Sequence, residues 1–181
     1  MTETLQPSAT MKRVLELFPG AQRALFRRYH IGGCASCAFQ PDETLAGLCA
    51  RNNLNPDEVL RHIESSHEQD QELLVAPSEL AKLREAGSVR LVDVRSREEF
   101  EAARIEGAVL LSQPVMQDIL GHWPREGLMV IYDHRGQHSL DAAAYFTGQG
   151  FRQVRCLRGG IDAWSKEIDP KIPRYRLELT T

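Results

Sequence analysis

Residues 129–139 read MVIYDHRGQHS, an apolar run that passes directly into a polar stretch containing a glycine. Further apolar runs and helical stretches surround it in the second part of the chain, at 91–94, 98–103, 108–111, 139–149 and 153–156. Short buried strands that alternate with helices are typical of an α/β fold built on a parallel sheet. The second part of the chain is therefore predicted to be a mainly parallel sheet with flanking helices.

In the first part of the chain the apolar residues are spaced differently. Apolar residues recur at helical spacing across 8–66, as in amphipathic helices. Asn55 is a predicted N-cap, with Pro56 at the first helical position. We predict four short helices around the motif Cys34-Ala-Ser-Cys37, which follows a pair of glycines.

The two parts are separated by residues 64–72, which read ESSHEQDQE and are polar throughout. Such a stretch between two patterned regions favours a connecting segment. The predicted organisation is a small all-α domain at 1–66, a linker at 67–74 and an α/β domain at 75–181.

The composition limits the classes of function. The chain has 22 Lys and Arg against 25 Asp and Glu, a net charge of −3, and neither part has a basic excess. An electrostatic nucleic-acid binder is therefore not expected. No apolar run approaches the ~18 residues that span a membrane, and residues 1–10 lack the pattern of a secretory signal. We expect a cytoplasmic protein with no nucleic-acid or membrane partner.

Residues 75–175 resemble the rhodanese (sulfurtransferase) family. The resemblance is carried by segments in a characteristic order, LVDVR at 91–95, EEF at 98–100, IEGA at 105–108, VIY at 130–132, GGIDAW at 159–164 and IDPKIPRY at 168–175. It implies a rhodanese-like parallel sheet with flanking helices, and it gives Asp93 and Arg95 a structural role at the sheet edge.

In that family the strand matching 129–132 leads a cysteine nucleophile into a loop whose backbone N–H groups hold its thiolate and persulfide. The matching loop here consists of Asp133, His134, Arg135, Gly136, Gln137, His138 and Ser139. The resemblance thus places an aspartate at the position of the nucleophile. Because a carboxylate cannot carry a sulfane sulfur, this active-site loop is expected to be degenerate and conventional rhodanese activity is not expected.

Three roles are open for Asp133. Its carboxylate can satisfy the N–H groups of its own loop, act as an acid or base with His134 or His138, or belong to a loop that recognises a partner. Cys156 also has two interpretations, because it ends a strand next to the one that leads to Asp133. It is either a reactive thiol near the loop or a small buried hydrophobic residue.

Residues 10–63 resemble two related small modules. One is the redox-disulfide domain associated with hybrid-cluster proteins, and the other is the N-terminal domain of the di-iron proteins that repair iron–sulfur clusters. The shared pattern includes YHIGGC at 29–34, Cys37 and NPDEVL at 55–60. The CxxC spacing is closer to the redox-disulfide domain, whereas Cys49 is a feature of the repair proteins.

The cysteines of this module allow several chemistries. Cys34 and Cys37 are a candidate redox pair, since a CxxC motif can close a disulfide and nearby cations favour the thiolate; one of these thiols can also accept and pass on persulfide sulfur. Alternatively, zinc or an iron–sulfur centre would be held by four ligands, Cys34, Cys37, Cys49 and His30. The remaining alternative is an idle CxxC motif with Cys49 in the core.

The leading functional hypothesis is a thiol redox or sulfur-handling protein that uses the CxxC pair. The rhodanese-like domain would be a scaffold or partner-binding surface, no cofactor would be needed, and the partner would be a protein with thiol, persulfide or iron–sulfur chemistry. The alternative is a non-enzymatic metal or iron–sulfur-binding module involved in cluster maintenance. A pure interaction protein is a third hypothesis, and an active thiosulfate sulfurtransferase is the least favoured.

Overall fold

The computed structural model describes residues 5–32, 39–87, 89–136 and 138–174. The chain divides into two compact units, Met1–Glu72 and Leu73–Thr181. Among the described residues, none of the helices combines the length and apolar character needed to cross a membrane.

The described residues of the first unit form helices, as their spacing predicts. The helices are α1 (Met11–Leu17), α2 (Ala21–Tyr29), α3 (Leu45–Arg51) and α4 (Pro56–Glu72). Side chains cap several of them at the start, which satisfies N–H groups that have no partner within the helix. Thr44 accepts a hydrogen bond from the Gly47 N–H, and Asn55 accepts from Asp57 and Glu58. The predicted cap at Asn55 is thereby confirmed.

The core of this unit is a single apolar cluster to which all four helices contribute. Its fully buried members include Met11, Val14, Leu25, Leu45, Leu48, Cys49 and Ile63. Burial of such side chains stabilises the unit by about 1.5–3 kcal/mol for each large aliphatic residue. The short helices are therefore held by packing against one another more than by their intrinsic propensity.

The interval predicted as a linker, 67–74, is mostly regular structure, and the division between the two units falls inside it. Helix α4 continues through Glu72, and the first strand already includes Leu74. The polar sequence was misleading because it lies on a helix, where Asp70 is largely buried and accepts a hydrogen bond from Arg23 of α2 at 2.5 Å. This ion pair ties the last turns of α4 to the rest of the helical unit.

The second unit alternates strands and helices. In chain order it contains β1 (Leu74–Val75), α5 (Pro77–Glu85), β2 (Val89–Asp93), α6 (Arg97–Ala102), β3 (Ala108–Leu110), α7 (Gln113–His122), β4 (Leu128–Tyr132), α8 (Ser139–Gly148), β5 (Val154–Leu157) and α9 (Gly160–Glu167). The five strands found among the described residues form one sheet in the order β1-β5-β4-β2-β3, with every pair parallel. The predicted α/β fold with flanking helices is confirmed.

Strand β4 lies at the centre of this sheet and is buried on both faces. Val130 and Tyr132 belong to the apolar cluster on one face, while Met129 and Ile131 belong to the cluster on the other, as the alternation of side chains along a strand requires. Both neighbours of β4 run parallel to it. The carboxyl ends of β2, β4 and β5 therefore meet at one edge, where the loops of α/β proteins usually carry function.

Candidate functional site

The loop between β4 and α8 lies at this carboxyl edge. Asp133 directly follows β4, and α8 begins at Ser139. The carboxylate of Asp133 accepts hydrogen bonds from the backbone N–H groups of Gly136 and His138 and, at 3.1 Å, from that of Ser139. The residue is only 3% exposed. Since an ionised carboxylate is purely an acceptor, it suits this ring of donors and the positive end of α8.

The arrangement agrees with the first role considered for Asp133, in which the carboxylate satisfies its own loop. Each carboxylate oxygen already accepts at least one backbone N–H. The loop therefore holds a resident negative charge in the space where its donors converge.

The start of α9 packs closely against the backbone of this loop. Ile161 N–H donates to the Asp133 carbonyl at 2.9 Å, and Asp162 N–H donates to the His134 carbonyl at 3.1 Å. Gly160 has a φ of +59°, and a side chain there would collide with the Asp133 and His134 backbone. Only glycine meets both requirements, so the GGIDAW segment is needed to support the loop.

The side chains of the loop divide into buried and exposed groups. His134 is buried, whereas Arg135 and His138 are exposed. Ser139 is fully buried, and its Oγ has no hydrogen-bond partner within the part of the chain that the structure describes. Gln137, also predicted as part of the site, lies outside the described residues.

Asp162 and Arg174 border the loop, and the sequence analysis did not single them out individually. Arg174 donates two hydrogen bonds to the Asp162 carboxylate, at 2.8 and 3.0 Å. This pairing holds the pKa of Asp162 below its ordinary value, and electrostatic interactions with His134 and Arg135 act in the same direction. The only signal in the sequence was that both residues fall within segments of the family resemblance.

The neighbouring strand end carries a buried ion pair. Arg95 binds the Asp93 carboxylate through Nε at 2.9 Å and through a terminal nitrogen at 2.6 Å, and it donates to the Ala103 carbonyl at 2.6 Å. The pKa of the nearby Tyr132 is raised, mainly because the side chain is buried and secondly because of the negative charge of Asp93. The pair locks the end of β2 to the segment after α6, which confirms its predicted structural role.

Cys156 lies deeper in the sheet than the loop. It is fully buried in β5, where it is the register partner of Ile131, two residues before Asp133. Its apolar cluster includes Val92, Phe146 and Phe151. These surroundings fit the buried hydrophobic interpretation of Cys156 better than the reactive one.

The candidate residues of the helical unit are only partly described. Cys34 and Cys37 lie outside the described residues. Cys49 is fully buried in the apolar core, and burial raises the pKa of its thiol. His30 is exposed at the end of α2, with a φ of +58°. Among the described residues, which do not include Cys34 and Cys37, there is no group of three or more side chains suited to holding a metal ion.

Comparison with known proteins gives a consistent result for the second unit. A family model described as a rhodanese-like domain matches residues 76–167. Thiosulfate sulfurtransferase GlpE of Ectopseudomonas mendocina is 32% identical over 90 residues, which are 50% of this chain and 82% of that protein. The protein of the same name from Pseudomonas syringae pv. syringae is 36% identical over 90 residues, 50% of this chain and 84% of its own length.

A solved structure extends the comparison to the fold. Reduced CoADR-RHD of Bacillus anthracis matches with a TM-score of 0.51 at 19% identity, covering 75% of this chain and 23% of that one. At this identity the likeness shows the fold alone. The parallel sheet with a loop at its carboxyl edge thus defines an α/β protein of rhodanese-like fold. The chain belongs to the rhodanese-like family.

Proposed function

We propose that this chain is a thiol redox or sulfur-handling protein in which Cys34 and Cys37 react, while the rhodanese-like domain is a scaffold that binds a protein partner. The observation that carries the scaffold role of the rhodanese-like domain is the carboxylate of Asp133, which accepts hydrogen bonds from three backbone N–H groups of its own loop. Curated relatives are named thiosulfate sulfurtransferases. Asp133 argues against the same activity in this chain.

Two physical arguments support an inactive loop. The resemblance puts Asp133 at the position of the cysteine nucleophile, and a carboxylate cannot hold a sulfane sulfur. The same carboxylate occupies the N–H donors that would otherwise stabilise a thiolate or a persulfide. An incoming thiosulfate would meet a fixed negative charge and donors that are already bonded.

The proposed reaction takes place at the CxxC pair. The thiolate of one cysteine attacks a sulfur of the partner's disulfide, the partner's S–S bond breaks, and the released partner sulfur leaves as a thiolate. The second cysteine then attacks the mixed disulfide and releases the partner as a dithiol. Two electrons pass to the partner, and Cys34 and Cys37 become a disulfide. With a persulfide partner, the attacked atom is the outer sulfur and the partner's thiolate is the leaving group.

The helical unit offers a suitable setting for this chemistry. Arg27 and Arg28 lie in the last turn of α2, a few residues before Cys34, and nearby positive charge favours a thiolate. The second candidate, a zinc or iron–sulfur module that includes Cys49 and His30, receives less support. Cys49 is buried among apolar side chains with a raised pKa, which opposes the thiolate form that a metal ligand requires.

The experiment that tests this function combines a thiol count with metal analysis. Protein purified without oxygen is assayed for zinc and iron and by absorption spectroscopy, and thiols are counted before and after reduction of air-exposed samples. We expect no stoichiometric metal and two thiols that appear only on reduction, and that disappear in Cys34→Ser and Cys37→Ser. Ser36→Ala, inside the same motif, is the matched control and should keep both thiols.

Two other outcomes would contradict the proposal. Stoichiometric metal that is lost in Cys34→Ser or Cys37→Ser would make the helical unit a metal site. Cyanide-dependent turnover of thiosulfate that survives Asp133→Ala but is abolished by Cys156→Ser would assign a sulfurtransferase activity to the rhodanese-like domain.

A further inference from the structure

A groove on the helical unit is separate from the loop after β4 and shares only Arg28 with the surroundings proposed for the CxxC pair. Its volume is about 380 Å³, and its lining residues are Arg28, Glu58, Arg61, His62 and Ser65. The last four belong to α4 at positions i, i+3, i+4 and i+7, a spacing that places them on one face of the helix. Arg28 comes from the last turn of α2. The groove thus combines a polar stripe of α4 with a cation of the helix beside it.

Tyr29 helps to position two of these groups. The guanidinium carbon of Arg28 lies 5.5 Å from the centroid of the Tyr29 ring. The imidazole of His62 meets the same ring edge-on, with 5.6 Å between centroids. His62 is held further because its Nε2 lies 3.1 Å from the carbonyl oxygen of Ala24. A carbonyl only accepts, so Nε2 carries the proton in this bond and Nδ1 takes no part in it.

Among the described residues, the arginines that line the groove lack the carboxylate partners that several other arginines of the helical unit have. Three other arginines have a carboxylate within ion-pair distance, in the pairs Arg13–Glu16, Arg23–Asp70 and Arg51–Glu43. Over the described ranges of the chain, no acidic side chain forms such a pair with Arg28 or Arg61. The chain as a whole is acidic, with a net charge of −3, so these two cations are a local feature of the groove.

We propose that this groove binds a small tetrahedral oxyanion of the phosphate or sulfate type. A guanidinium presents several N–H donors in one plane, which suits the oxygens of such an anion, and charge-assisted bonds of this kind are the stronger ones. Arg28 and Arg61 supply the charge, and the Ser65 hydroxyl supplies a further donor. Glu58 opposes the ligand, since its carboxylate lines the same groove.

Titration of the full-length chain tests this site. Inorganic phosphate and thiosulfate are titrated separately at low ionic strength, with binding followed by calorimetry and by the ring signals of His62 in NMR spectra. Low salt is needed because exposed charges are screened. We expect saturation with a dissociation constant on the order of 1 mM. The double variant with Arg28→Gln and Arg61→Gln should bind about tenfold more weakly or worse.

Two matched variants sharpen the experiment. Glu58→Gln removes the opposing charge of the groove and should tighten binding. Arg27→Gln removes a cation from the same turn of α2 that does not line the groove, and it should leave the affinity within about twofold, as expected of an exposed charge. Backbone amide spectra confirm that each variant is folded.

The outcomes separate the sources of the anion and decide the proposal. Preference for phosphate points to a phosphoryl ligand, preference for thiosulfate points to a sulfur oxyanion, and equal binding identifies a site for tetrahedral oxyanions in general. The proposal is overturned if neither anion saturates, or if Arg27→Gln weakens binding as much as the double variant does.

Discussion

The loop that follows β4 and the groove between α2 and α4 both concentrate charged groups, but these groups are satisfied differently. In the loop, the Asp133 carboxylate accepts hydrogen bonds from three backbone N–H groups, and the residue is almost completely buried. In the groove, Arg28 and Arg61 line an open space, and within the described residues neither has a carboxylate partner. Charge that is matched internally stabilises a fold, whereas unmatched cations on a surface are available to a ligand.

The largest expected effect is that a single substitution makes the loop able to form a persulfide. Asp133→Cys removes the internal anion and places a thiolate among the same backbone donors. With thiosulfate present, this thiolate should attack the outer sulfur and release sulfite, so that the protein gains the mass of one sulfur atom. Mass spectrometry of the intact protein measures this gain.

Asp133→Ser is the control for that gain, because it also removes the carboxylate but offers no sulfur nucleophile. It should show no added sulfur. A folded Asp133→Cys protein that never traps a persulfide would mean that the loop supports only a carboxylate, and the comparison with active relatives would fail at this point.

The next effect is a loss of stability at the neighbouring strand end. Arg95→Ala leaves Asp93 buried without its cation, and breaking such a pair typically costs about 3–5 kcal/mol in the free energy of unfolding. Urea unfolding followed by tryptophan fluorescence is suitable, since both tryptophans, Trp123 and Trp164, lie in the second unit.

Arg97→Ala is the control in the same region. Its guanidinium is exposed and lies 4.0 Å from Glu101, so its loss should change the free energy of unfolding by no more than about 0.5 kcal/mol. Equal effects of the two substitutions would show that the buried pair is not a special feature of this edge.

The smallest effect concerns pH. The pKa of Asp162 is lowered from 3.8, mainly by its hydrogen bonds with Arg174, so the stabilisation from this pair is present above about pH 4 and is lost as the pH falls through the lowered pKa. Thermal unfolding of the wild type and Arg174→Gln should therefore differ at pH 7, and the difference should disappear as the pH falls through the lowered pKa. A difference that persists unchanged in acid would assign the role of Arg174 to packing.

Much of the fold was predictable from local patterns. The apolar runs at 91–94 and 129–132 became β2 and β4, and Asn55 caps α4 as expected. The helical structure of most of the linker interval was not predicted, because polarity does not distinguish a solvated helix from a connection. Asp70 is buried through its contact with Arg23, 47 positions earlier in the chain, and no local pattern contains that information.

The candidate sites also have some features that the sequence predicted and others that only the structure revealed. The segment around Asp133 could be recognised from its sequence, as could the CxxC motif, which lies outside the described residues. The three N–H donors on the Asp133 carboxylate and the deep position of Cys156 became clear only in the folded chain. The groove was missed entirely, although Glu58, Arg61, His62 and Ser65 already have the spacing of one helix face.

The sequence by itself determined the alternation of strands and helices and the family, and it supports the proposal that a carboxylate stands where the family has a sulfur nucleophile. These properties depend on residue type and on spacing along the chain. Only the tertiary structure decided which charges are matched. Asp133 meets donors from its own loop, while Arg28 and the polar stripe of α4 line an open groove. Whether a charge is satisfied depends on what folding brings within hydrogen-bond distance. For Arg23 and Asp70, which are 47 positions apart, no short stretch of sequence encodes that distance.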